Sequence, residues 1–182
     1  MSEYGRKMIE IGYKGETYKR LEGQWVDSSF IVATMPIQRA LNQLYVDSIN
    51  VKLLDIDTLI KEGDSFKSTG DYSLAIRFYE EAIKTCDRGT IIYLLPRISS
   101  CYRGNQAPQK AIESFSFAKR KYGTDILSPA LLTSAAAAYC DLKEYENAIK
   151  CAKIAFAKSE GKADESLLNV FSRIEKERGK RW

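Results

Sequence analysis

Gly70-Asp71-Tyr72-Ser73-Leu74-Ala75-Ile76-Arg77-Phe78-Tyr79-Glu80-Glu81-Ala82 decides the fold, because its spacing recurs twice downstream. The second copy is Gln109-Lys110-Ala111-Ile112, followed by Phe115 and Ala118. The third is Lys143-Glu144-Tyr145-Glu146-Asn147-Ala148-Ile149, followed by Ala152 and Ala155. The anchors Ala75, Ala111 and Ala148 lie 36 and 37 residues apart, and an Ala follows each by seven. Twelve and nine residues before the anchors stand Gly63 and Phe66, Ser99 and Tyr102, Ala136 and Tyr139. A small residue and an aromatic three apart share one helical face. Small residues let two helices approach closely, and the aromatics fill the space beside them. A period of this length is the signature of stacked helical hairpins.

The pattern resembles the tetratricopeptide repeat (TPR) family. The first repeat, about residues 55–87, carries Leu59, Gly63, Phe66, Gly70, Ala75, Tyr79 and Ala82. The second, about 91–122, carries Leu95, Ser99, Tyr102, Ala111, Phe115 and Ala118. The third, about 128–159, carries Leu132, Ala136, Tyr139, Ala148 and Ala155, with Ala152 in place of the usual aromatic. The family's terminal Pro is missing and the spacing exceeds its usual length of about 34, which implies longer links. Pro108 suits a helix start. Pro96 lies inside the second repeat's first helix, so that helix is expected either to begin near Leu94 or to bend.

Outside the repeats the reading changes. Met8–Tyr13 and Glu16–Leu21 alternate, with turn signals at Lys14-Gly15 and Glu22-Gly23, then Gln24-Trp25-Val26 and Ser29–Val32. This predicts a small antiparallel meander over residues 1–33, with Ser29–Val32 offered as a further strand. Residues 34–54 read as a linking helix, capped by Thr34, with Ile37, Leu41, Leu44 and Tyr45 as its apolar face. Residues 55–160 hold the three repeats. In 161–182, Leu167, Leu168, Phe171 and Ile174 give a C-terminal capping helix that ends in a basic tail. The expected fold is mostly α: a short right-handed solenoid with a cap, plus the meander.

Charge and composition exclude more than they assign. The 182 residues carry a net charge of +4 and no His. Residues 51–89 are net −2, and 90–128 net +4. The missing His removes the commonest general base and the usual triads. Cys86, Cys101, Cys140 and Cys151 include no CxxC pair and read as small thiols in a reducing compartment. There is no phosphate-binding Gly-rich loop and no HExxH. No catalytic residue, metal or cofactor is expected. No apolar run is long enough to span a bilayer, so a cytoplasmic protein with no membrane partner is expected.

The resemblance to TPR proteins implies binding of another protein, through a peptide or helix segment laid in a groove lined by the first helix of each repeat. Carried over residue by residue, the groove positions are Asp57, Ile60, Asp64 and Lys67, then Tyr93, Pro96, Ser100 and Arg103, then Ala130, Thr133, Ala137 and Cys140. A carboxylate clamp fits poorly, because only Lys67 and Arg103 are basic there and Asp64 stands where Asn belongs. Tyr18 and Trp25 are either core of the meander or a second, exposed contact. The expected role is an adaptor or chaperone-like scaffold. A type III secretion-like chaperone is an alternative. So is a nucleic-acid-associated factor using Lys119-Arg120-Lys121 and Arg178–Trp182, although short clusters at helix C-termini have a simpler account in the helix dipole. Pairing of two copies through the meander's edge or the C-terminal helix stays open.

Overall fold

The computed structural model describes residues 8–178. They form a three-stranded antiparallel sheet and eight α-helices, packed as two compact units, one running to Ala82 and the other starting at Ile83. The basic tail from Gly179 onward lies outside the described residues.

The first unit opens with β1 (Glu10–Tyr13), β2 (Glu16–Leu21) and β3 (Gln24–Val26), in the order β1-β2-β3. Both hairpin turns place two successive residues at positive φ: Lys14 at 53° with Gly15 at 85°, and Glu22 at 47° with Gly23 at 86°. Such turns match the right-handed twist of the strands they join. Gly23 is required twice over, since a Cβ there would also stand 2.2 Å from the Ser65 hydroxyl oxygen. That hydroxyl donates to the Gly23 carbonyl.

Ser29–Val32 does not form the expected strand; only a single bridge, Val26 to Val32, is made. The Asp27 carboxylate accepts the Ser29 and Ile31 amides, which curls the segment into a loop, and Phe30 takes a φ of 61°.

Helix α1 (Met35–Ser48) buries Leu41 and Tyr45 of its expected apolar face and leaves Ile37 half-buried, but the buried face is rotated away from Leu44. Gln38, Leu41, Asn42, Tyr45 and Val46 face inward, and Leu44 is exposed. The reason is Trp25, which is fully buried. Its amide donates to Gln38 Oε1, and Gln38 Nε2 donates back to its carbonyl. Its indole N–H donates to Asn42 Oδ1 at 2.8 Å. A buried indole N–H and a strand end without hydrogen bonds would each be destabilising. Two amides one helical turn apart remove both penalties. Thr34 stands at the N-cap position, but its side chain makes no capping bond.

Helices α2 (Ile56–Ser68) and α3 (Tyr72–Ile83) form the first hairpin. Asp55 caps α2 by accepting the Thr58 amide. The buried Arg20 guanidinium ties the sheet to α2 through Glu62 at 2.5 Å and the Ser65 hydroxyl at 3.1 Å, and lies over the Tyr45 ring. Arg20 therefore combines a paired charge with aromatic contacts, the form in which burying a charge is tolerable.

The second unit contains α4 (Arg88–Gly104), α5 (Pro108–Tyr122), α6 (Pro129–Asp141), α7 (Tyr145–Lys158) and α8 (Glu165–Arg178). Helix α4 begins at Arg88, capped by Asp87, and not near Leu94; it runs through Pro96. Pro96 has no amide to offer the Ile92 carbonyl, so that helical bond is missing. Helix α6 packs against α4, α5, α7 and α8. Its Ala135–Ala138 are all buried, which is what close approach on several sides requires. In α8, capped by Asp164, Leu167, Val170 and Ile174 face the core, whereas Leu168 is exposed rather than part of the packing face.

Candidate partner-binding surface

The groove positions carried over from the resemblance divide between the units. In the first, Asp57, Ile60, Asp64 and Lys67 lie along α2. Asp57 is exposed and the other three are half-buried. Asp64 is not a spare carboxylate, since it accepts the Tyr79 hydroxyl at 2.6 Å. That bond fixes the ring that packs on Gly63 and makes Asp64 part of the hairpin's structure.

In the second unit, α4 presents Tyr93 to solvent. The Arg97 guanidinium stacks 3.4 Å from its ring centroid and donates to its carbonyl. A cation over an aromatic face keeps both side chains in one conformation at low entropic cost. Ser100 and Arg103 are half-buried further along the helix. Of the three α6 positions, Thr133 and Ala137 line no open groove, and Cys140, also buried, borders a cavity at the C-terminal end of the helix. Thr133, Ala137 and Cys140 are only 7%, 6% and 4% exposed, because α6 is enclosed by its four neighbours. Tyr18 and Trp25 are likewise buried, so neither is an exposed contact.

The structure brings forward two residues outside the carried-over set, Asp141 and Arg173. The Asp141 carboxylate accepts from Arg103 Nε at 2.6 Å and from Arg173 Nη2 at 2.7 Å, linking α4, α6 and α8. Partial burial raises the Asp141 pKa, but the two guanidiniums outweigh it and hold the carboxyl below its usual range. A signal exists in the sequence: Arg103 and Asp141 are one repeat length plus one residue apart. Arg173 lies beyond the repeats and offers no such clue.

Beside this cluster opens a cavity of about 530 Å³, lined by Cys140, Asp141, Lys143, Tyr145, Arg173, Lys176 and Glu177. Its rim mixes cations and carboxylates over one aromatic ring, a surface suited to a polar segment with backbone groups to satisfy. Burial pushes the Cys140 thiol up, and the Cys151 thiol to about 11. Both are therefore protonated near neutrality, the unreactive form of the group. Among the described residues there is no cluster of His, Cys, Asp or Glu that could hold a metal ion, and no helix long and apolar enough to cross a membrane.

No protein-family model and no curated protein matches the sequence. Solved structures do match. The Sgt2 TPR domain from Aspergillus fumigatus aligns with a TM-score of 0.59 at 17% identity, over 68% of this chain and 79% of that one. The C-terminal TPR-containing domain of a Plasmodium falciparum FK506-binding protein aligns with a TM-score of 0.51 at 18% identity, over 74% of this chain and 99% of that one. At such identities the likeness is one of fold. Helical hairpins repeating at 36 and 37 residues, with small residues at the close approaches, and two TPR domains as structural neighbours give one conclusion: this chain has a TPR-like fold.

Proposed function

We propose that the chain is a non-catalytic protein-interaction module that holds a peptide or helix of a partner protein on the α4 face and in the adjoining cavity. The observation that carries this reading is the arrangement around Asp141. Tyr93, Arg97, Ser100 and Arg103 form a strip along α4. Arg103 joins it through Asp141 to the cavity edged by Lys143, Lys176 and Glu177. Extended peptides and amphipathic helices are recognised on such surfaces by a few polar anchors and one or two aromatic contacts. The α2 strip of Asp57, Ile60, Asp64 and Lys67 is a separate polar face open to the same use. The reading includes a cytoplasmic adaptor or chaperone-like role and the layout of meander (1–33), linking helix (34–54), repeats (55–160) and cap (161–182).

The test is co-purification from native lysate with the intact chain and with a Tyr93→Ser/Lys143→Glu/Lys176→Glu variant. All three side chains lie at the surface and leave the Asp141 cluster intact. A partner protein held by the intact chain and released by the folded variant supports the proposal. A partner retained by both places binding elsewhere. Turnover of a small molecule by the purified chain, with no protein held, would overturn the reading.

A further inference from the structure

The cavity beside Asp141 has a sign, and that sign limits which segment fits it. Arg103, Lys143, Arg173 and Lys176 stand around it against Asp141 and Glu177, a surplus of two positive charges. The carboxylates are the committed members. Asp141 accepts from both guanidiniums, at 2.6 and 2.7 Å. Glu177 stands against the half-buried Tyr145 phenol, whose pKa is raised by burial first and then by the charge of that carboxylate. The lysines are the uncommitted members. Both are exposed, and neither Lys143 nor Lys176 makes an ion pair or a side-chain hydrogen bond with a described residue.

Lys143 reaches the cavity from an uncommon backbone conformation. The turn between the paired helices of each repeat holds one residue at positive φ: Gly70 at 75°, Gln106 at 56° and Lys143 at 61°. Glycine suits that conformation best, since a Cβ is crowded in it. In the third repeat the position carries instead a long cationic side chain that lines the cavity. Lys176 belongs to α8, so the two lysines line the cavity from different elements. Like charges gathered at one cavity repel each other, and an anion placed beside both relieves the repulsion. A cationic segment would add to it. An apolar segment would strip water from the ammonium groups without pairing them. A nucleic acid needs a longer stripe of cations than these two. Resting on the interaction-module reading, we infer that the segment taken by the cavity is acidic: a peptide of the partner protein whose Asp or Glu side chains pair with Lys143 and Lys176.

The experiment is selection of phage-displayed random peptides, about a dozen residues long, on the full chain, followed by fluorescence anisotropy of the selected peptides in solution. The selected sequences are expected to be rich in Asp and Glu, and their binding to weaken as salt rises. Losing two such ion pairs through Lys143→Gln/Lys176→Gln is expected to weaken binding roughly 10-fold. Gln106 already holds the equivalent turn position in the second repeat, so Gln at residue 143 suits the backbone, and unchanged circular dichroism checks the fold. Peptides with their acidic residues changed to Lys are expected to bind Lys143→Glu/Lys176→Glu better than the parent. Selected peptides without an acidic excess overturn the inference, and so does binding that the Gln variant retains in full. If Tyr93→Ser still releases those peptides, the interaction-module reading stands. Equal displacement of the peptides by single-stranded polythymidine also overturns the inference, marking a general polyanion site. A library that yields no binder sinks the inference and the reading together.

Discussion

Gly63→Ala is expected to destabilise the first unit, although Ala is the better helix former. A Cβ at residue 63 would stand 2.5 Å from Tyr79 Cε1, 2.7 Å from Cδ1 and 3.1 Å from Cζ. Ordinary carbon contacts are about 3.5–4.0 Å, so the ring must retreat by about 1 Å. Tyr79 is fully buried and has little room to do so. Displacement also strains the hydrogen bond from its hydroxyl to Asp64 at 2.6 Å. Overpacking of this kind costs about 1–3 kcal/mol, and a weakened hydrogen bond adds up to about 1 kcal/mol. The Gly-to-Ala gain in helix stability returns about 0.5–1 kcal/mol. The net expectation is a loss centred on about 2 kcal/mol, with an upper bound of about 3.5 kcal/mol, read as a lower urea midpoint by circular dichroism at unchanged slope. In a Tyr79→Leu background the steric part should vanish, so the double-mutant cycle should show a coupling of about 1 kcal/mol or more. Stability of Gly63→Ala equal to or above that of the parent would refute the reasoning.

Three further outcomes follow from single side chains. Ser99 holds the position of Gly63 in the second repeat, and its buried hydroxyl oxygen has no hydrogen-bond partner; Ser99→Ala should be neutral or stabilising by up to about 1 kcal/mol in the same urea assay. Asn42→Leu strips the Trp25 indole of its acceptor and should destabilise by about 1–3 kcal/mol, with a shift in Trp fluorescence. Asp141→Asn should lower stability near neutrality by about 1–2 kcal/mol. The Asp141 carboxyl titrates below its usual value in the folded state. Its contribution is therefore present above the unfolded value near 4 and is lost as the pH falls through the folded one. Thermal midpoints of the parent should drop over that acid window more steeply than those of the variant. Asp55 and Asp87, also lowered through hydrogen bonds from Thr58 and Thr90, act in the same direction.

The repeats were legible because their packing is a matter of side-chain volume at fixed spacing. Sixteen residues after the small positions Gly63 and Ser99 stand the aromatics Tyr79 and Phe115, and Ala152 stands sixteen after Ala136. That spacing needs no coordinates. The hairpin turns were legible for a similar reason, since Lys14-Gly15 and Glu22-Gly23 supply the left-handed backbone that a two-residue turn demands.

Exposure was far less legible, because it depends on which neighbour arrives. The α1 face could be read only in part from its apolar residues: Leu41 and Tyr45 are buried as expected, but Gln38 and Asn42 turn inward because Trp25 brings a buried amide and indole to them from another element. Ser29–Val32 has strand-like residues, yet the Asp27 carboxylate captures its amides and makes a loop. Thr133, Ala137 and Cys140 stand at groove positions in the repeat pattern, but α8 and α4 close over α6. Asp141 and Arg173 meet for the same reason. Local spacing along the chain determined which residues form each hairpin. Only the tertiary structure decided which of their surfaces stay open, because burial and hydrogen-bond pairing depend on residues distant in sequence.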